Sequence, residues 1–255
     1  CHLGNLKEAE VFTRKAIAIK PNYAEAYNNL GNILKSLGNL KDAEESTRQA
    51  IDLKPNFAEA YSNLGVLLND LGLLKEAESY TRKAIELNPT FAEPYSNLGA
   101  LLNDLGNLKD AEKYTRKAIE LKSNYSEAYL NLGNILKELN RSEEAIHLIR
   151  KSISIKPNYS EAHFSLGHIL EDQGKSKEAK DCFEICTKLD PEDLAYNIKS
   201  RLSISYITIN QNIINLERNI INSEIEKIGN NKGIRLKNNI KNLDFIFNLA
   251  YKNIK

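Results

Sequence analysis

The chain has 255 residues with 35 Lys or Arg against 34 Asp or Glu, and its net charge of +1 supplies no field to gather nucleic acid or an anionic membrane. Its three cysteines, Cys1, Cys182 and Cys186, are too few and too unevenly spaced for a disulfide framework, and no stretch approaches the roughly 20 apolar residues of a membrane helix. With no charged-then-apolar leader, a reducing cytoplasm is the expected location. The chain opens on Cys1 and contains no methionine, so it is expected to be an internal or truncated piece of a larger bacterial protein.

In chain order, residues 1–23 read as the second helix of an incomplete unit, marked by Leu3, Gly4, Ala9, Ala16 and Pro21. Five complete units of 34 residues follow, at 24–57, 58–91, 92–125, 126–159 and 160–193. The first half of each carries an aromatic residue, then Leu, Gly and Leu three, four and seven positions on: Tyr27, Leu30, Gly31 and Leu34 in the first, His163, Leu166, Gly167 and Leu170 in the last. That spacing is one face of an α-helix. A second helix carries small residues seven apart, Ala43 and Ala50 in the first unit, Ala179 and Cys186 in the last. Gly38, Gly72, Gly106, Asn140 and Gly174 stand between the two helices, where a left-handed backbone favours Gly or Asn. Pro55, Pro89, Pro157 and Pro191 stop the second helix, and Ser123 replaces proline once. Asn22, Asn56, Thr90, Asn124 and Asn158, each followed three residues later by Glu, predict a capping box at the start of the next helix.

These residues resemble the tetratricopeptide repeat, whose 34-residue pattern of aromatic, Leu, Gly, Ala, Ala and Pro is met in five units in phase. The resemblance covers residues 1 to about 193 and implies an all-α solenoid: eleven helices in antiparallel pairs, stacked as a right-handed superhelix that binds other proteins. His163 departs from the pattern's aromatic, and Thr47, Thr81 and Thr115 from the aromatic of the second helix before Phe183 restores it; locally weaker packing is expected there. Beyond Pro191 the composition turns to Ile and Asn, and Ile213, Leu216, Ile220, Ile221, Ile225 and Ile228 predict an amphipathic helix, so 194–255 reads as a helical cap or linker.

No phosphate-cradling glycine loop, nucleophile elbow or His-Glu zinc motif is present, so no catalytic residue and no cofactor is expected. His163, His168, Cys182 and Cys186 make a poor zinc set: Cys186 and His163 occupy packing positions, and His168 is assigned to the exposed side of its helix. The informative residues are those of the inner groove, which in this family is lined by the first helices. Asn29, Asn63, Asn97 and Asn131 stand directly before the Leu-Gly pair, with Ser165 breaking the row, and Asn32 and Asn134 belong to the same surface. A carboxamide offers a donor and an acceptor to a peptide main chain without reading its side chains. Asn69 with Asp70, Asn103 with Asp104, Lys137 with Glu138, and Asp172 form a mildly acidic lip, so the expected partner is a polar or basic peptide. Units are expected to stack about 20 Å apart, fewer if their helices interleave.

The asparagine row resembles that of the repeat domain of O-linked N-acetylglucosamine transferases, and residues 247–253 resemble the stretch that opens the transferase domain. That resemblance implies the substrate-presenting part of such an enzyme, with every catalytic residue downstream. The Lys and Arg pair of a carboxylate clamp is not evident, because Glu25, Glu59, Glu93, Glu127 and Glu161 occupy the helix starts. Arg14-Lys15, Arg82-Lys83, Arg116-Lys117 and Arg150-Lys151 read as a solvated outer face. Self-association through the incomplete first unit is the structural alternative.

Overall fold

A computed structural model of the chain describes residues 2–193, 195, 196, 199 and 200; the amphipathic stretch 213–228 and the stretch 247–253 lie outside the described residues. The described residues form eleven α-helices and no strand, in two compact units. The first, residues 1–141, holds α1 (His2–Ile19), α2 (Ala24–Ser36), α3 (Leu40–Leu53), α4 (Ala58–Asp70), α5 (Leu74–Leu87), α6 (Ala92–Asp104), α7 (Leu108–Leu121) and α8 (Ser126–Glu138). The second, residues 142–255, holds α9 (Ser142–Ile155), α10 (Ser160–Asp172) and α11 (Ser176–Leu189) among its described residues.

Helices of 13 and 14 residues are marginal alone, so their stability comes from packing. In the first unit α2 pairs with α3, α4 with α5 and α6 with α7, while α2, α4, α6 and α8 also adjoin one another in series. The core repeats with the chain. Leu64, Leu68 and Ala77 enclose one cluster with Leu101 from the following first-type helix, and Ile51 from the preceding second-type helix packs against it. Leu98, Leu102, Ala111 and Ile135, with Ile85, repeat that cluster one unit on.

Three local features decide how closely the helices approach. Gly38, Gly72, Gly106 and Gly174 have φ between +74° and +84°, and Asn140 has φ +59°, which turns the chain from one helix into the next. Amides five residues on close these turns, as Asn39 N–H to Leu34 C=O at 2.9 Å. Where α4 crosses α5, a β-carbon on Gly65 would overlap the Thr81 hydroxyl and lie 3.2 Å from the Ala77 carbonyl oxygen. Thr47, Thr81 and Thr115 do not weaken the packing as expected. Each is buried and donates its hydroxyl to Ala43, Ala77 or Ala111 at 2.7 to 2.8 Å, and in α5 and α7 the aromatic has moved one place, to Tyr80 and Tyr114, with Tyr80 stacked on Tyr61 at 5.9 Å.

The capping boxes do not form. Tyr23, Phe57, Phe91, Tyr125 and Tyr159 occupy the N-cap positions without a side-chain cap, so the helices start one residue later than a box requires. Glu25 and Glu93 instead accept from Lys54 and Lys122, at the end of the same pair's second helix, at 2.7 and 2.6 Å. The outer arginines are likewise engaged: Arg48, Arg82 and Arg116 donate to Glu44, Glu78 and Glu112 one turn back, and Arg48 and Arg82 also donate to Tyr80 and Tyr114 of the next pair. At the opposite end α1 leaves Val11, Phe12 and Ile19 exposed at 51, 59 and 86 %. In the second unit, Tyr196 is buried with its ring centroid 5.0 Å from that of Phe164, and Lys199 pairs with Glu171 at 2.6 Å.

Candidate functional site

The residues that do not face the cores lie on one stripe of each first-type helix of the first unit, because positions three, four and seven apart share a helix face. On α4 the stripe runs through Glu59, Ser62, Asn63, Val66, Asn69 and Asp70, and on α6 through Glu93, Ser96, Asn97, Ala100, Asn103 and Asp104. The sequence-predicted asparagines stand on it in register. Asn63 Nδ2 donates to Asn28 Oδ1 at 2.9 Å, Asn97 Nδ2 to Ser62 Oγ at 3.3 Å, and Asn131 Nδ2 to Ser96 Oγ at 3.1 Å. Asn28 in turn donates to Glu59 at 3.0 Å. Asn29, with no first-type helix before it among the described residues, is exposed.

Each carboxamide is therefore held by one N–H, while its Oδ1 and second N–H make no hydrogen bond among the described residues. These bonds require neighbouring first-type helices to touch, which places successive asparagines about 8 to 10 Å apart, not the 20 Å of fully separated pairs. An extended chain covers that interval in about three residues.

Asn28, Ser62 and Ser96, which anchor the row, are 1 to 3 % exposed and were not singled out from sequence. The signal was present: a polar residue, Asn28, Ser62 or Ser96, stands directly before Asn29, Asn63 and Asn97, and Leu130 takes that place before Asn131. Asn32 is exposed, and Asn134 and Asn69 are half-buried on the same stripes. Asn103 Oδ1 is buried without a hydrogen-bond partner. The acidic lip is not free charge: Asp70 pairs with Lys35 at 3.0 Å, and Asp104 and Lys137 are engaged as well. Lys54 holds the Glu25 carboxyl below the usual carboxylate range through its hydrogen bond.

In the second unit, Ser165 is half-buried on α10. His163 Nε2 lies 2.9 Å from the Pro157 carbonyl oxygen, the contact that Tyr95 makes to Pro89 at 3.2 Å, so the histidine replaces the tyrosine function for function. His168 is not on an exposed side. It packs edge-on against Phe164 and Phe183, with centroids 4.5 and 5.4 Å away, because Phe183 restores an aromatic beneath it. Cys186 donates its thiol to Ser160 C=O at 3.3 Å. Among the described residues no three His, Cys, Asp or Glu side chains are grouped to hold a metal ion. Burial pushes the Cys182 thiol up to about 11 and that of Cys186 up to about 12. In a Cys1→Ser chain at about pH 8, Ellman's reagent is expected to react slowly until denaturant is added, since the thiolate is the nucleophile. Prompt reaction of two thiols in the native chain would contradict that burial.

The fold and this polar face define an array of helical hairpins with its hydrogen-bonding groups on the first helices. Family models described as tetratricopeptide repeat match residues 24–57 and 58–91, residues 90–158 and residues 160–193, and the chain belongs to that family. Among solved structures it is similar to MamA, at 28 % identity over 64 % of this chain and 95 % of that one, with a TM-score of 0.51. It is also similar to a thermophilic TPR protein of Thermus thermophilus (19 % identity, 71 % and 98 % covered, TM-score 0.65). YrrB, described as a TPR protein with an unusual peptide-binding site, matches at 24 % identity over 74 % of this chain and 97 % of that one, with a TM-score of 0.50. No curated protein sequence matches. The likeness to the repeat half of a glycosyltransferase finds no support in these relatives. Repeats of this family mediate protein–protein interaction. Among the described residues no helix is long and apolar enough to cross a membrane.

Proposed function

We propose that the stripes on α2, α4, α6 and α8 bind an extended polypeptide through its main chain. The observation that carries this reading is the anchored row of Asn63, Asn97 and Asn131. One N–H of each is bonded to the preceding helix, which fixes the amide plane and leaves an acceptor and a donor for a ligand. Fixing that orientation beforehand lowers the ordering cost of binding. YrrB, of the same fold, is described as a TPR protein with an unusual peptide-binding site, and that description supports the reading.

The test uses peptides selected on the wild-type chain from a displayed random library. A variant with Asn63→Ala, Asn97→Ala and Asn131→Ala is expected to lose them, and each single variant to weaken them several-fold, since one such bond is worth about 0.5 to 1.5 kcal/mol net. Thermal melting controls for folding. Asn63→Ala should cost the most stability, about 1 to 3 kcal/mol, because it leaves the buried Asn28 Oδ1 without a donor. The Ser62 and Ser96 hydroxyls can turn to another acceptor when Asn97 or Asn131 is removed. Selected peptides that bind the triple variant unchanged would refute the proposal. Self-association through the exposed apolar residues of α1 is the alternative reading, and light scattering that shows concentration-dependent assembly without peptide would favour it.

A further inference from the structure

Resting on the peptide-binding reading, we infer that the bound segment is uncharged and sets an apolar side chain over Val66 and Ala100. Most charged groups bordering the central helices are already matched inside the protein, and Glu59, in the first turn of α4, keeps its charge. Glu25 pairs with Lys54 and Glu93 with Lys122, Glu59 accepts from Asn28, Asp70 pairs with Lys35, and Asp104 is engaged. A basic ligand would have to compete with an ammonium 2.6 to 3.0 Å from three of these carboxylates. Beyond the first turn of α4, the field that remains over α4 and α6 is that of amides and hydroxyls. A neutral chain complements it, and a charged side chain would be desolvated there without a counter-charge.

The apolar part follows from register. The stripe position three residues after the asparagine row is Asn32 on α2, Val66 on α4, Ala100 on α6 and Asn134 on α8. Val66 and Ala100 are half-buried, so the two middle helices present an apolar strip bounded on both sides by carboxamides. A main chain held by Asn63 and Asn97 brings every second side chain of an extended segment to the protein surface. One of these falls on the strip, where its methyl or methylene groups lose water contact.

The experiment sequences the peptides selected on the full chain and measures their binding by fluorescence anisotropy to wild type, Val66→Asp, Ala100→Asp and the triple asparagine variant. The expected peptides share an apolar residue at one position and carry no net charge in the bound stretch. Their affinity should change by less than about twofold between about 50 mM and 500 mM salt. Val66→Asp and Ala100→Asp should each weaken binding by about tenfold or more, with melting unchanged. Peptides that depend on the asparagine row but carry Lys or Arg and weaken steeply with salt would overturn this inference and leave the peptide-binding reading intact. Peptides indifferent to the asparagine row, or no selected peptide, would overturn both.

Discussion

Replacing Leu64 by Ala is expected to lower the unfolding free energy by about 2 to 5 kcal/mol, the range for truncating a fully buried leucine. Leu64 is 0 % exposed and belongs to a cluster built from three elements: its own helix through Leu68, the paired second helix through Ala77, and the next first helix through Leu101. Ala77 and Gly65 already bring the backbones close, so the surroundings have little freedom to collapse into the cavity. Urea denaturation followed by circular dichroism measures the effect. A midpoint unchanged from wild type would show that Leu64 is not a core residue.

A second large effect is expected at the helix crossings. A β-carbon on Gly99 would overlap the Thr115 hydroxyl, 3.1 Å from the Ala111 carbonyl oxygen and 3.2 Å from Thr115 Cβ. Thr115 is 0 % exposed and its hydroxyl is fixed by a 2.8 Å bond to Ala111, so it has nowhere to turn. Gly99→Ala gains about 1 kcal/mol of helix propensity, yet overpacking of this kind costs about 1 to 3 kcal/mol and the lost buried hydrogen bond adds to it. Net destabilisation is the expected outcome. Thr115→Ala removes the obstructing hydroxyl, so the double variant should be less destabilised than the sum of the singles. Strict additivity would mean that the two residues do not meet.

The repeat register was legible in the sequence because each signature residue has one packing role. The Leu and Gly positions face the paired helix, the alanines admit it, and Gly or Asn at the turn adopts positive φ. The capping boxes were misread for a physical reason: Asn-x-x-Glu fits a helix starting one residue earlier, and only the aromatic N-cap at Tyr23 or Phe57 sets the true start. The candidate face was legible as a row of asparagines but not as a bonded ladder. Its anchors depend on which helices touch, and two-helix repeats can stack with their first helices apart or in contact. Contact is what turns Asn28, Ser62 and Ser96 into acceptors and neutralises Asp70 with Lys35. Sequence alone counts those carboxylates as free charge and so favours a polar or basic partner.

In the proposed function, the free halves of these carboxamides are the ligand's hydrogen-bonding partners. The most direct measurement is a side-chain amide spectrum of chain labelled with nitrogen-15 at asparagine, recorded as a selected peptide is added. The carboxamide resonances of Asn63, Asn97 and Asn131 are expected to shift together and saturate with the peptide's own affinity. Asn39 and Asn107, in the turns between paired helices, should stay in place. Saturable peptide binding that leaves all three stripe resonances unmoved would contradict it.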